Sequence, residues 1–137
     1  MQNRFRFALI LFILFISFPL YAEESSPQSI RQLSNEVYRL SQEMIFHGSE
    51  GHAHEIVSHG QEMIQRTEAL IKEVESNPAP EIKKRRGKLL TALKATLKET
   101  KEAVRLGEQE KTGPAVEAAR KASFRAKQIR QQIQTLP

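Results

Sequence analysis

Residues 26–51, SPQSIRQLSNEVYRLSQEMIFHGSEG, contain the clearest folding signal in the sequence. Their apolar side chains recur at steps of three and four residues, which places them on one face of an α-helix. These side chains are Ile30, Leu33, Val37, Leu40 and Met44. Ser26 before Pro27 is typical of an N-cap followed by proline at the first helical position, and the glycine-containing segment 48–51 interrupts the helix. The segment predicts an amphipathic helix over about residues 27–47.

Three further amphipathic helices are predicted downstream, separated by Gly and Pro breaks. The apolar stripe of the second consists of Ile56, Met63, Thr67, Leu70 and Val74. That of the third consists of Ile82, Leu89, Leu93, Leu97 and Val104. That of the fourth consists of Val116, Ala119, Ala122, Ala126, Ile129 and Ile133. We therefore expect an all-α fold, an up-down four-helix bundle made of two helical hairpins over about residues 27–77 and 80–136.

The two hairpins are also weak copies of each other. A shift of 59 positions places Gly48 on Gly107 and Val57 on Val116, with the two glycine loops in register. The same shift aligns Glu43 with Glu102, Ile45 with Val104 and Arg66 with Arg125. The coincidence of the loops predicts an internal repeat, in which both hairpins have the same design.

The N-terminal segment has the organisation of an export signal. Arg4 and Arg6 precede an almost uninterrupted apolar run over residues 7–18, and Ala22 is followed at once by two glutamates. This order predicts a cleaved signal peptide over residues 1–22, one domain over residues 23–137 and a periplasmic location. An uncleaved membrane anchor is the alternative, because Leu20 is a less standard residue than alanine three positions before the cleavage site.

The composition argues against an enzyme. The chain has no cysteine and no aspartate, and it has neither a serine nucleophile elbow nor a glycine-rich phosphate loop. Without cysteine there is no disulfide framework and no attachment of a c-type haem, so that a b-type haem held by Met and His is the remaining haem alternative. We expect a non-catalytic protein.

All four histidines, His47, His52, His54 and His59, lie within thirteen residues of this 137-residue chain. Imidazole is the commonest protein ligand for late first-row transition metals and titrates near neutral pH, so the cluster predicts metal binding or pH sensing. Glu55 lies four residues before His59 and therefore on the same helical face, where it can add a carboxylate ligand. The predicted metal ligands are His47, His52, His54, His59 and Glu55.

The helical periodicity ranks these ligands. His47 continues the apolar stripe of the first helix, and His52 and His59 continue that of the second, whereas His54 points outward. Folding the hairpin about its loop should bring His47 opposite His52, with His59 two turns deeper. Met44 and Met63 are expected to be core residues, but their predicted closeness to His59 keeps copper in favour, with nickel or zinc as alternatives.

The segment GHAHEIVSHGQEMI over residues 51–64, preceded by residues 47–50 (His-Gly-Ser-Glu), resembles the Glu-Gly-His and His-Ala-x-Glu-Ala repeat of the small metal-binding protein family. That family comprises histidine-rich periplasmic four-helix bundles that bind copper and other divalent ions. The resemblance implies metal sequestration, with the four histidines as ligands, and covers about residues 43–63. At the positions shifted by 59 the chain departs from the pattern and has Leu106, Lys111, Gly113 and Ala118. One or two ions per chain is therefore the expected capacity.

Charge divides the predicted domain into two unlike halves. Residues 23–80 have four basic and ten acidic side chains, a net charge of −6, and residues 81–137 have fifteen basic and six acidic ones, a net charge of +9. The acidic half contains the histidines, where its field should concentrate cations. We expect no nucleic-acid binding, because aromatic platforms are missing.

The competing function is a non-catalytic interaction or chaperone-like module with incidental histidines. It would hold an anionic envelope surface or an acidic protein through the basic run Lys83, Lys84, Arg85 and Arg86. The sequence leaves the oligomeric state open.

Overall fold

The computed structural model describes residues 27–136, with the side chains described from residue 29 onward. Its helices are α1 (Pro27–Ser49), α2 (Ala53–Ser76), α3 (Pro80–Glu108) and α4 (Thr112–Gln134). No strand occurs in this part of the chain, which confirms the all-α prediction. The first helix extends beyond its predicted end at about residue 47, since Gly48 and Ser49 still belong to α1.

The predicted signal peptide over residues 1–22 and the Ser26 cap lie outside the described residues. Within the described part, no helix combines the length and the apolar character that a bilayer crossing requires.

The helices form a four-helix bundle in which α1 and α3 each pack against both α2 and α4. Diagonal contact is slight and is limited to α2 with α4. Because successive helices are joined by short connections, neighbours run antiparallel, and the α1–α2 and α3–α4 loops lie together at one end. We refer to this end as the loop end. The up-down bundle of two hairpins is thereby confirmed.

The predicted stripes are buried with two exceptions. Leu33 and Leu97 are only partly buried, whereas Thr96 and Thr100 are fully buried on α3. Each of these threonine hydroxyls donates a hydrogen bond of 2.9 Å to the carbonyl four residues earlier in the helix. The prediction of Leu97 as a core residue was wrong. The neighbouring Thr96 and Thr100 are buried instead, since a polar side chain whose hydrogen bond is satisfied by its own helix can be buried at little cost.

The backbone of the two loops follows the predicted repeat. His52 N donates to His47 O at 3.0 Å, and Lys111 N donates to Leu106 O at 3.0 Å, which are the same positions shifted by 59. The residue before each donor is in the left-handed region, Gly51 at φ 90° and Glu110 at φ 57°. Glycine adopts this region without strain, whereas Glu110 adopts it at a cost.

Close helix approaches repeat in the same way. A Cβ atom on Gly48 would overlap Cγ2 of Val116, and one on Gly107 would lie 3.0 Å from Cγ2 of Val57. Gly48 corresponds to Gly107 and Val57 to Val116 under the shift of 59, so the α1–α4 and α3–α2 contacts are reciprocal. The two hairpins are thus related by an approximate twofold axis at the loop end.

Direct charge pairing contributes little to the docking of the two hairpins. Among the described side chains, one ion pair joins them, Lys101 Nζ to Glu68 Oε1 at 3.5 Å, and both partners are about half exposed. Exposed pairs of this kind are worth about 0–1 kcal/mol each. The apolar core, not the opposite net charges, therefore holds the hairpins together.

Salt is accordingly expected to change stability only modestly. Between low ionic strength and about 1 M NaCl, the free energy of unfolding of the metal-free protein should change by about 1 kcal/mol or less. Urea unfolding followed by circular dichroism at both salt concentrations measures this change. Unfolding of the protein by moderate salt alone would show that electrostatic attraction is the dominant force.

Candidate metal centre

The loop between α1 and α2 is closed by hydrogen bonds to the histidine that precedes it. The His47 carbonyl accepts hydrogen bonds from the backbone N–H groups of Glu50 and His52, at 3.1 and 3.0 Å. The chain therefore turns back tightly, and the side chains of Glu50 and His52 are placed beside the His47 imidazole. Loop geometry, in addition to helical periodicity, builds this part of the site.

The His59 ring stacks on the His47 ring. Their centroids are 5.3 Å apart with an interplanar angle of 15°, and both side chains are about one-quarter exposed. The His52 ring is farther from His47, with centroids 6.1 Å apart. His59 was expected two turns deeper than the His47–His52 pair, but its ring nevertheless meets that of His47.

A glycine beside His59 makes this approach possible. A Cβ atom on Gly60 would overlap Cγ2 of Val104 and lie 3.2 Å from Cε of Met44. Without a side chain at position 60, α2 packs closely against both α1 and α3. The position of His59 next to His47 depends on this close packing.

A first group of potential ligands, which we call the inner cluster, consists of Glu43, His47 and His59. One ligand atom from each lies within 4.8 Å of the others, and all three residues are half-buried. Oε2 of Glu43 is 3.9 Å from Nε2 of His47. Arg39 approaches the other oxygen of this carboxylate, with Nη1 3.9 Å from Oε1. The inner cluster thus combines two imidazoles with one carboxylate.

A second group, the outer cluster, consists of His47, Glu50 and His52, and it satisfies the same distance limit. Oε2 of Glu50 is 3.8 Å from Nδ1 of His47 and 3.7 Å from Nδ1 of His52. The His52 side chain is 57% exposed, so its predicted place on the buried stripe of the second helix was wrong. His52 lies just before α2, where helical periodicity no longer applies. His47 belongs to both clusters.

The distances in both clusters are too long for hydrogen bonds but close to those between ligands of one ion. Hydrogen bonds between nitrogen and oxygen are about 2.7–3.2 Å long. Two neighbouring ligand atoms bound at about 2.0–2.2 Å lie about 2.8–3.1 Å apart around an octahedral ion and about 3.3–3.6 Å apart around a tetrahedral one. The histidine–carboxylate distances of 3.7–3.9 Å within the clusters need to shorten by about 1 Å or less to meet that geometry.

Two predicted ligands lie outside both clusters. His54 is exposed on the outer side of α2, as its helical position predicted. Glu55 is near the inner cluster, with Oε2 3.6 Å from Nε2 of His59, but it is not within reach of His47. It can orient the His59 imidazole in the way that a carboxylate next to a ligating histidine commonly does.

Sequence reasoning missed two carboxylates, Glu43 and Glu50. Glu43 could have been found, because it lies four residues before His47 and shares its helical face. Glu50 could not, since its contact with His47 depends on the turn of the loop. The candidate ligands in the structure therefore include Glu43 and Glu50, whereas the predicted ligands His54 and Glu55 lie outside both clusters.

Both methionines near the site are core residues. Met44 and Met63 are fully buried, and the Sδ atom of Met63 accepts a hydrogen bond from the Thr100 hydroxyl at 3.6 Å. The Met44 side chain packs at Gly60. As fully buried core residues, the two methionines give no support to copper in particular.

The second hairpin has a glutamate that corresponds to the one in the inner cluster, but it has no histidine beside it. Glu102 corresponds to Glu43 under the shift of 59, and Leu106 corresponds to His47. Instead of facing an imidazole, Glu102 accepts two hydrogen bonds of 2.6 and 2.8 Å from Arg105. These hydrogen bonds lower the pKa of the Glu102 carboxyl, and the guanidinium neutralises its charge. The loop end is therefore suited to cations on one hairpin alone.

The basic run over residues 83–86 is only partly available to a partner. Arg86 donates to the carbonyls of Val74 and Asn77 at 3.1 and 2.6 Å and thereby satisfies the C-terminus of α2. Arg85 donates to the Gln132 carbonyl at 3.3 Å near the C-terminus of α4. Both guanidiniums stabilise helix ends. This leaves Lys83 and Lys84 as the exposed part of the predicted partner surface.

Comparison with protein-family models, curated proteins and solved structures finds no match to this chain. The resemblance of residues 43–63 to the small metal-binding proteins therefore stays a prediction. The geometry of the loop end is the remaining indication of function.

Proposed function

We propose that this protein binds a divalent transition-metal ion at its inner cluster, through Glu43, His47 and His59. The observation that carries the proposal is the convergence of Glu43 and His47 from α1 with His59 from α2, with one ligand atom of each within 4.8 Å of the others. The two rings lie 5.3 Å apart at an interplanar angle of 15°, with the Glu43 carboxylate beside His47.

The ligand types favour a restricted set of metals. Two imidazoles with a carboxylate suit copper, nickel and zinc, whereas calcium and magnesium prefer oxygen ligands alone. Copper(II) binds most tightly to a given nitrogen and oxygen site within the first-row series. Copper is therefore the favoured ion, with nickel and zinc as weaker competitors, and the preference rests on this order alone.

The electrostatic surroundings support cation capture. The half of the domain that contains the histidines has a net charge of −6, and the carboxylates of Glu50 and Glu55 lie beside the inner cluster. Such a field raises the local concentration of cations. Together with the predicted export signal, it favours a role in periplasmic sequestration of metal ions rather than in catalysis.

Equilibrium dialysis of the purified protein against Cu(II), Ni(II) and Zn(II) tests the proposal. His59→Ala removes an inner-cluster ligand, and we expect it to lower copper affinity at least about tenfold. His54→Ala is the matched control, since it removes an exposed histidine outside both clusters and should leave affinity within about twofold of the wild type. If the wild type binds no ion, or if the variant lacking all four histidines binds as tightly as the wild type, the proposal is wrong.

Copper affinity is also expected to decrease in acidic solution. Imidazole binds a metal ion only in its neutral form, so protons compete with the ion for each histidine ligand. Where the free imidazoles are protonated, two imidazole ligands should lower the apparent affinity by up to about 100-fold per pH unit, and one by up to about tenfold. Titrations between about pH 5 and 8 in a non-coordinating buffer measure the slope. An affinity independent of pH would show that the histidines are not ligands.

A further inference from the structure

We infer that the loop end is built as a two-metal centre, in which the outer cluster holds a second divalent ion and the His47 imidazole bridges the two ions. The inference extends the proposed function and depends on it, because the first ion occupies the inner cluster. The second ion is bound by Glu50, His52 and the Nδ1 atom of His47. Its chemical class is that of the first, a late first-row transition metal.

The Nδ1 atom of His47 supplies the first argument. It is buried from solvent and has no hydrogen-bond partner. Leaving a buried polar atom without a partner costs about 1–3 kcal/mol, so such atoms are rare and call for a ligand or another explanation. Oε2 of Glu50 is 3.8 Å away, which is too far for a hydrogen bond. An ion placed between them would satisfy both atoms.

The orientation of the ring supplies the second argument. Nε2 of His47 faces Glu43 of the inner cluster at 3.9 Å, whereas Nδ1 faces Glu50 of the outer cluster at 3.8 Å. The two nitrogens of an imidazole point away from each other, so each can bind its own ion. With bonds of about 2.0–2.1 Å to each nitrogen, the two ions would lie about 6 Å apart.

Charge balance supplies the third argument. A neutral imidazole has a proton on one nitrogen, and this proton passes to solvent when both nitrogens bind metal, which leaves a ring with a charge of −1. Glu43 and Glu50 add one negative charge at each ion. Glu55, with Oε2 3.6 Å from the His59 imidazole, adds another nearby. These four negative charges offset most of the positive charge of two divalent ions and of Arg39, whose Nη1 lies 3.9 Å from Oε1 of Glu43.

The two positions differ in exposure, which sets the order of filling. The inner-cluster side chains are 23–37% exposed, whereas Glu50 and His52 are 48% and 57% exposed. Ligands held by surrounding structure lose less conformational freedom on binding than exposed ones do. The inner site should therefore fill first and more tightly, and the outer site second.

Copper titration followed by dialysis and by electron paramagnetic resonance tests the two-metal centre. The first equivalent of Cu(II) should give a full resonance signal. The second should reduce that signal instead of doubling it, because a bridging imidazole couples the unpaired electrons of the two ions. His52→Ala and Glu50→Gln should each bind a single ion with an uncoupled signal. His54→Ala is the matched control and should bind two coupled ions, as the wild type does.

The possible results distinguish the second site and the bridging imidazole from the proposed inner site. One ion per chain in the wild type, with His52→Ala unchanged, would overturn the second site and leave the inner site standing. Two ions whose signals simply add would overturn the bridge. A wild-type protein that binds no copper would overturn the proposed function itself. Because Glu50 and His52 are exposed, their substitution should leave the helical circular dichroism spectrum unchanged.

Discussion

Alanine in place of His47 is expected to lower copper affinity more than alanine in place of any other histidine, by about 100-fold or more. The reason is that His47 contributes to both the inner and the outer cluster, whereas His52 and His59 contribute to one each. A 100-fold loss corresponds to about 2.7 kcal/mol of binding free energy. Competition titrations against a chelator of known affinity measure the change for each variant.

The four histidines are expected to contribute unequally to copper binding. We expect the loss of copper affinity on substitution by alanine to decrease in the order His47, His59, His52 and His54. His47 is about one-quarter exposed, so its replacement should leave the fold intact, which circular dichroism can verify. Equal small losses for all four single variants would contradict the geometry of both clusters. Wild-type affinity in His47→Ala would do so most directly.

Alanine in place of Gly60 is expected to destabilise the bundle, although alanine favours helix in general. The new Cβ would overlap Cγ2 of Val104, a β-branched side chain with little rotamer freedom, and press on Cε of Met44. Overpacking of this kind costs about 1–3 kcal/mol, and the gain in helix propensity returns about 1 kcal/mol. We expect a net loss of up to about 2 kcal/mol in the free energy of unfolding.

Gly87→Ala is the matched control for this substitution. Gly87 also lies inside a helix, α3, but a Cβ there would meet no atom within 4 Å. Only the propensity gain remains, so this variant should be more stable than the wild type by about 0.5–1 kcal/mol. Urea unfolding of both variants measures the difference. Equal stabilisation by both substitutions would show that the packing around Gly60 is loose.

Gly60→Ala should also weaken metal binding. Any displacement of α2 away from α1 carries His59 away from His47, whose rings are 5.3 Å apart. Misplacement of one ligand by about 1 Å is enough to disrupt a metal site. Copper affinity of Gly60→Ala below that of Gly87→Ala, measured under conditions where both are folded, would link the core packing to the site.

Sequence periodicity alone determined the number and order of the helices and most of the core. The stripes of α2 and α4 are buried as predicted, because a step of three and four residues fixes which side of a helix is apolar. The repeat of 59 residues also predicted that the two loops would match, and their hydrogen bonds do so. The concentration of the histidines beside one loop fixed where a site should be sought.

The tertiary structure decided which of these side chains meet. Periodicity gives the angle of a residue about its own helix axis, but not its level against a neighbouring helix. The pairing of His59 with His47 depends on the approach of α2 at Gly60, and that of Glu50 with His47 depends on the backbone of the loop. Likewise, the use of Arg85 and Arg86 at helix ends follows from contacts between residues distant in sequence. Such alignments are set by packing and loop closure, which local sequence patterns do not encode.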